Sequence, residues 1–209
     1  MTTITRIADS CLVVETDATR TLIDPGGFAY TWEGIDLSSI GDISQVLITH
    51  EHGDHVNLDF VQWLIDRRRD VVVHTNESTA AMLARADIAA TTDAPAGTTF
   101  EDVAHETLPN GSTLPNRSWT VEDVLTHPGD SYEPTSAGHV MGLALLAPWG
   151  SMTASVAFAK RLGPKMVVPT HDFYLSRSGR AWVTSLASSV LGAAGIEVVG
   201  LEPGESFTV

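Results

Sequence analysis

The stretch Val46-Leu47-Ile48-Thr49-His50-Glu51-His52-Gly53-Asp54-His55 constrains this chain most, because an apolar strand runs into a loop carrying three histidines and an aspartate within six residues. That loop holds three of the chain's eight histidines. Imidazole nitrogen and carboxylate oxygen are the donors that zinc and its first-row neighbours accept, and a site needs several of them held close together. A solvated polar loop has no need of such a concentration of imidazoles, so the segment reads as the nucleus of a metal site. Gly53 is expected to let the backbone turn tightly enough to aim these side chains inward.

The sequence around this loop alternates between sheet and helix grammar. Ile4–Ile7, Cys11–Glu15 and Arg20–Ile23 are short β-branched runs separated by turn formers, which predicts an antiparallel meander. Asp24-Pro25-Gly26-Gly27 ends it, through a proline without a donor and two glycines expected to adopt φ values other residues resist. A loop with Phe28, Tyr30 and Trp32 follows. Next come a strand at Val46–Ile48, a helix at Leu58–Arg68, a strand at Val71–Val73 and a helix at Ser78–Ala86. Thr98–Thr126 reads as β, with turns at Pro109-Asn110-Gly111 and Pro115-Asn116. The closing third predicts a strand at Leu143–Leu146, a helix at Ser151–Leu162, a strand at Met166–Val168, a helix at Gly179–Ala194 and a last strand near Val198-Val199. Crossover helices in both halves imply an α+β architecture with two packed mixed sheets and helices outside. No linker or internal repeat divides the 209 residues, so one domain over 1–209 is expected.

Net charge is −14 and the pI is about 4.7, a field that repels polyanions and disfavours extended nucleic-acid binding. The one basic run, Arg67-Arg68-Arg69, closes a predicted helix where cations suit the negative end of its dipole. No apolar run approaches the roughly 20 residues a membrane helix needs, and Met1–Val14 has no signal-peptide pattern, so cytoplasmic residence is expected. The single cysteine, Cys11, excludes an intramolecular disulfide and reads as a small packed residue.

The pattern His50-x-His52-x-Asp54-His55 resembles the signature of the metallo-β-lactamase superfamily, and the resemblance extends from Ile4 to Pro203. It implies a four-layer αββα sandwich. It also implies that His50 and His52 bind one metal while Asp54 and His55 bind a second. Three further ligands are then required in order: a lone histidine, a bridging aspartate and a final histidine. Asp130, in His127-Pro128-Gly129-Asp130-Ser131, resembles the family's Gly-Asp bridge, and His171, at the tip of Val167-Val168-Pro169-Thr170, resembles its last ligand. His74, His105 and His127 compete for the lone position. His105 is preferred because it follows a strand-like stretch and precedes a long loop. His127 lies three residues before Asp130, so strand alternation turns it toward a supporting or packing role unless Pro128 breaks the alternation.

Several positions stay open at this level. His74 is expected to pack or face solvent, and His139 has less support still. Asp172 fits either a hydrogen bond to a ligating imidazole or a helix cap, and Asp24 either a buttress of the metal site or a turn residue. Ala147-Pro148-Trp149 resembles a family loop after a later strand. Asp9 departs from the pattern, since many members carry a histidine just before the Ser-Cys pair.

The resemblance implies hydrolysis by two divalent ions, Zn²⁺ or Mn²⁺, through a metal-bridged hydroxide that Asp54 orients while Asp130 bridges the ions. The substrate is expected to be a small molecule with an ester, lactone or phosphodiester bond, and an anion is compatible because the metal charge attracts it. The nearest subgroup is the compact members similar to L-ascorbate-6-phosphate lactonase. Tyr30, Trp32, Trp119, Tyr132, Trp149, Phe173 and Tyr174 are available to wall a pocket, and none is assigned to substrate. The rivals are a metal-dependent binding or regulatory module and a di-iron oxidoreductase; His52 argues against the latter, whose members usually carry glutamate there. The missing export signal argues against a secreted antibiotic hydrolase. Oligomeric state is left open.

Overall fold

The computed structural model describes residues 1–209. In chain order, β1 (Thr3–Ala8), β2 (Cys11–Glu15) and β3 (Arg20–Ile23) lead to α1 (Gly27–Tyr30), a 3-10 turn at Leu37–Ile40, β4 (Gln45–Leu47), α2 (Leu58–Arg67), β5 (Val72–His74) and α3 (Glu77–Ala84). The second half runs β6 (Thr98–Ala104), β7 (Pro115–Val121), β8 (Leu125–His127), β9 (Val140–Ala144), α4 (Met152–Leu162), β10 (Met166–Thr170), α5 (Arg177–Gly192), β11 (Glu197–Val198) and β12 (Ser206–Thr208). Asn57, Asn76, Ser151 and Ser176 start the four longer helices by accepting a backbone N–H, which satisfies one of the donors a helix N-terminus leaves unpaired.

The strands form two mixed six-stranded sheets, ordered β12-β1-β2-β3-β4-β5 and β11-β10-β9-β8-β7-β6. Three apolar clusters define how the layers stack. Ile4, Leu12, Val14, Ile23 and Leu47 of the first sheet meet Trp119, Val121, Leu125, Val140 and Val168 of the second. Alternate residues of the first sheet, including Cys11, Val13, Leu22 and Val46, pack outward against Phe60, Val61 and Leu64 of α2 and Leu83 of α3. Met141, Leu143 and Val167 face Phe158 of α4 and Val183, Ala187 and Leu191 of α5. The period-2 alternation of each strand thus gives both sheets two buried faces, and the result is an αββα sandwich. Cys11 is buried in the outer cluster, as its apolar surroundings predict.

Strand direction then fixes where a site can form. β3, β4 and β5 are parallel, as are β8, β9 and β10, and β6 pairs antiparallel with β7, which pairs antiparallel with β8. In the second sheet, β6, β8 and β10 therefore all run the same way. Their ends carry His105, Asp130 and His171, and the end of β4 carries His50 to His55. Loops after parallel strands gather on one rim, where open sheets commonly build their ligand sites.

The elements differ from expectation in five places. Pro115 and Asn116, read as a turn, instead open β7 and pair with Ala104 and Val103. The segment read as a loop after Gly26 contains α1, and the last residues add β12 against β1, where the sequence has no long β-branched run. β9 starts at Val140 rather than Leu143; Gly142 interrupts its pattern, but all five residues are buried. Gly53 has neither positive φ nor any atom within 4 Å of a built Cβ, so the turn does not depend on it. The position that demands glycine is Gly26, where a Cβ would stand 1.7 Å from the Asp54 carbonyl oxygen, and the demand is for space, since its φ is −80°. No helix is long and apolar enough to cross a membrane.

Candidate metal centre

All seven side chains expected as ligands converge on this rim, in two groups that share Asp130. One comprises His50, His52, His105 and Asp130, the other Asp54, His55, Asp130 and His171, and within each the donor atoms lie within 4.8 Å of one another. His50 Nε2 is 3.1 Å from His52 Nδ1, and His105 Nε2 is 3.3 Å from Asp130 Oδ2. In the second group His55 Nε2 is 3.1 Å from Asp130 Oδ1, and His171 Nε2 is 3.3 Å from both Asp54 Oδ2 and Asp130 Oδ2. Two donors on a tetrahedral ion at about 2.0–2.1 Å stand about 3.3 Å apart, so these separations suit neighbours on a shared cation.

The orientation of the rings supports the same fit. His55 Nε2, His105 Nε2 and both ring nitrogens of His171 are buried without a partner in hydrogen-bond geometry, a costly state for a polar group unless something binds there. On the far side of three rings, the other nitrogen is held. The His55 Nδ1 donates to Asp24 Oδ2 at 2.7 Å, and the His105 Nδ1 donates to the Glu106 carbonyl at 2.5 Å. The His50 Nδ1 meets Thr49 Oγ1 at 3.0 Å, while that hydroxyl donates to Asp24 Oδ2 at 2.8 Å. A proton fixed on Nδ1 leaves the Nε2 lone pair facing the centre, which is how outer partners prepare a histidine for a metal. These donors fit paired divalent ions.

Two charge patterns follow from confining carboxylates with imidazoles. Burial pushes the Asp130 carboxyl up, but His55, His105 and His171 around it win and hold it well below the usual range. Burial likewise opposes ionisation of Asp54, and His171 and His55 overcome it, so its pKa falls. The reverse holds for two imidazoles. Burial lowers His171, yet Asp130 and Asp54 push it up to about 10, and Asp130 with Asp24 raise His55 against the same penalty. Without a metal the carboxylates favour protonated His55 and His171 beside them; divalent cations, when bound, would take over that role and displace the protons. His50, by contrast, is lowered by burial and by the charge of His55, and His52 by burial and His105, so both present neutral rings.

The remaining candidates separate cleanly. His127 lies beneath the site, with Nε2 2.8 Å from the Ser10 carbonyl and Nδ1 accepting the Gly129 N–H at 3.2 Å. It supports the turn that presents Asp130 and belongs to neither group. His74 packs at the end of β5 with Nδ1 2.8 Å from the Asp93 carbonyl, and His139 is exposed. Asp24 proves to be both turn and buttress: its φ is +50°, and its oxygens take the Thr49 N–H at 2.8 Å as well as the Thr49 hydroxyl and His55. Asp172 does neither of the things its position invites. It pairs with the buried Arg6 guanidinium, and Ser176 caps the following helix instead. Asp9 is buried, with Oδ1 accepting the Phe173 N–H at 3.0 Å and Oδ2 unpartnered.

Sequence reasoning misses Trp149 as part of the centre. Its Nε1 donates to Asp130 Oδ2 at 2.7 Å, and its ring stands 5.8 Å from His105 and 5.6 Å from His171. Only its place in a family-like loop hinted at this, since nothing in a lone tryptophan distinguishes a carboxylate partner from a packed ring. Asn116 is also unsignalled: it donates to the Pro128 carbonyl and accepts the Asp130 N–H, tying β7 to the bridging turn.

The chain is 28% identical over 193 residues to Protein Rv0786c of Mycobacterium tuberculosis, an alignment covering 85% of this chain and 87% of that protein. It shares its fold with a protein from Parabacteroides distasonis, with a TM-score of 0.74 at 19% identity over 95% of this chain and 92% of that one. It also shares it with Igni18, a metallo hydrolase from the hyperthermophilic archaeon Ignicoccus hospitalis, at a TM-score of 0.73 and 18% identity over 100% and 99% of the two chains. The family profile of the metallo-beta-lactamase superfamily matches residues 4–171, spanning every ligand candidate from His50 to His171, and the chain belongs to that superfamily.

Proposed function

We propose that this chain is a metal-dependent hydrolase of small molecules, with one divalent ion held by His50, His52 and His105, a second by Asp54, His55 and His171, and Asp130 shared between them. The observation that carries this is Asp130 itself, whose Oδ1 lies 3.1 Å from His55 while Oδ2 lies 3.3 Å from both His105 and His171. One carboxylate thus faces both donor groups. Divalent ions such as Zn²⁺ or Mn²⁺, when bound, would supply Lewis acidity, lowering the pKa of a water toward neutrality and polarising the scissile oxygen.

The chain's own residues divide the remaining work by exposure. The Asp130 side chain is 2% exposed, whereas that of Asp54 is 24% exposed, so Asp54 is the carboxylate that solvent and substrate reach. Its Oδ2 faces His171, which leaves Oδ1 to accept a hydrogen bond from the attacking water and orient it. The lowered pKa of Asp54 keeps that acceptor ionised at neutral pH. Trp149 holds Asp130 Oδ2 in line between the two groups.

A lactone, ester or phosphodiester is the bond class this chemistry serves, and the motif resemblance favours the lactonase-like subgroup. We further infer one catalytic domain over residues 1–209, cytoplasmic residence, and no extended nucleic-acid partner for so acidic a chain. Elemental analysis combined with a panel of lactone, phosphodiester, thioester and β-lactam substrates tests the reading. Turnover of one class by metal-loaded protein, lost in Asp54→Ala with the fold intact, supports it. Full metal loading without any turnover favours a binding module, and iron with oxygen consumption favours an oxidoreductase.

A further inference from the structure

We propose that the substrate of this centre is uncharged and carries an aromatic or flat apolar group beside the scissile bond, received by an aromatic mouth that three loops build against the ligands. The inference rests on the hydrolase reading above and narrows it. The first loop is 146–149, where Trp149 spans the two donor groups and stands 5.4 Å from Tyr132. The second follows His171: the Tyr174 ring lies 6.2 Å from that imidazole, and its hydroxyl donates to the Leu146 carbonyl, joining the two loops. The third is α1, docked on the ligand loop by the Gly27 N–H to the Gly53 carbonyl at 2.7 Å. Its Phe28 stacks on Phe173 with centroids 3.7 Å apart and planes within 4°, and Trp32 meets Phe173 edge-on at 5.9 Å.

A scattered exposed aromatic needs no explanation, and rings often simply pack on one another. Here, however, the rings sit on the segments that carry or touch ligands, and Phe173 and Tyr174 remain 36% and 48% exposed. Exposed rings already fixed by stacking offer an apolar surface at little entropic cost to a planar guest.

Charge argues against an anion. Recognition of a carboxylate or phosphate group calls for Arg or Lys donors directed at it, and the cations beside these loops already have partners within the protein, the exposed Arg177 lying 3.9 Å from Glu202. Arg6 pairs with Asp172, Arg180 reaches Glu202 and the Leu175 carbonyl, and Arg161 donates to the carbonyls of Pro134 and Tyr132. Asp9 adds a buried carboxyl group near Asp54, though burial raises its pKa. The carboxylates of Asp24, Asp54 and Asp130 would offset most of the charge that two divalent cations bring, which leaves little to draw a phosphorylated substrate. An uncharged compound enters without that penalty.

The test uses metal-loaded protein with three lactones: dihydrocoumarin, a ring-carboxylated analogue of it, and δ-valerolactone. Dihydrocoumarin is expected to exceed each of the others in kcat/KM by about tenfold or more, and Phe173→Ala to reduce the aryl-to-aliphatic ratio by about tenfold. Phe173→Leu, which keeps an apolar side chain but removes the ring, repeats that loss if the alanine variant misfolds. Equal or faster hydrolysis of the carboxylated lactone overturns the proposal. Ligand-observed NMR with benzyl alcohol and benzenesulfonate separates the two readings. Benzyl alcohol binding that Phe173→Leu weakens, with no lactone, phosphodiester, thioester or β-lactam hydrolysed, sinks the hydrolase reading and keeps the mouth. Benzenesulfonate binding as well as benzyl alcohol, or no binding of either, overturns the mouth.

Discussion

Asp24 Oδ2 takes the His55 Nδ1–H at 2.7 Å, while Nε2 of the same ring points to Asp130 3.1 Å away, so a fully buried imidazole is held between an outer and an inner carboxylate. Asp24 also holds Thr49, and through its hydroxyl the ring of His50. One aspartate therefore sets the tautomer of a histidine in each donor group. Asp24→Asn keeps the volume but replaces one acceptor oxygen with a donor. Metal affinity is expected to fall about 10- to 100-fold, the usual range for an outer partner of a ligating histidine. Chelator competition measures it, and wild-type affinity in this variant would show that Asp24 serves only the turn.

His105 and His127 lie on strands that end at the same rim, yet they differ in what their inner nitrogens meet. His105 Nε2 faces Asp130, whereas His127 Nε2 faces the Ser10 carbonyl. His105→Ala should therefore lose one metal equivalent by elemental analysis. His127→Ala should keep full loading and lose about 1–3 kcal/mol in urea denaturation, because a buried carbonyl loses its partner. The opposite pattern would exchange their roles.

The ligand loop at His50–His55 and His171 are legible because each follows a short apolar strand, whereas His105, after a β6 that carries Glu101 and Asp102, and Asp130 are legible only through the family resemblance and the order it implies. The αββα layering is legible for a related reason: runs such as Cys11–Glu15 and Val167-Val168 are apolar on both faces, which only a sheet covered on both sides can use. The supports are not legible. Trp149 reaches Asp130, and Arg6 reaches Asp172, across long sequence separations that no local pattern encodes. Gly26 and Gly53 illustrate the limit sharply. Both are glycines in turns beside the ligands, and only the packed fold distinguishes the one that must lack a side chain.

That distinction is testable. A Cβ at Gly26 would overlap the Asp54 backbone oxygen at 1.7 Å, and backbone cannot swing aside as a flexible side chain can. Gly26→Ala should displace the ligand loop, lower stability by about 1–3 kcal/mol as overpacking does, and weaken metal binding together with it. Gly53→Ala meets nothing within 4 Å and should change stability by no more than about 0.5 kcal/mol. Thermal denaturation of both variants decides; equal losses would mean that the close approach at Gly26 is not what constrains the loop.

Glu101 offers a pH-dependent contact away from the metals. On β6, its Oε2 accepts the Thr135 N–H at 2.9 Å and hydroxyl at 2.7 Å, and its Oε1 accepts the Ser136 N–H at 3.2 Å and hydroxyl at 2.9 Å. Burial favours the neutral acid slightly, but these four donors outweigh it and lower the pKa. A carboxylate whose folded pKa is depressed adds stability above its unfolded pKa, and that stability is lost as pH falls through the folded value. The group is partly exposed, so solvent screening keeps the contribution below about 1 kcal/mol. In chelator-treated protein, the stability gap between wild type and Glu101→Gln should be present at about pH 7 and smaller at about pH 4, since a protonated carboxyl and an amide accept alike. Urea denaturation at the two pH values measures the gap, and a gap that stays constant would assign the effect to shape rather than to charge.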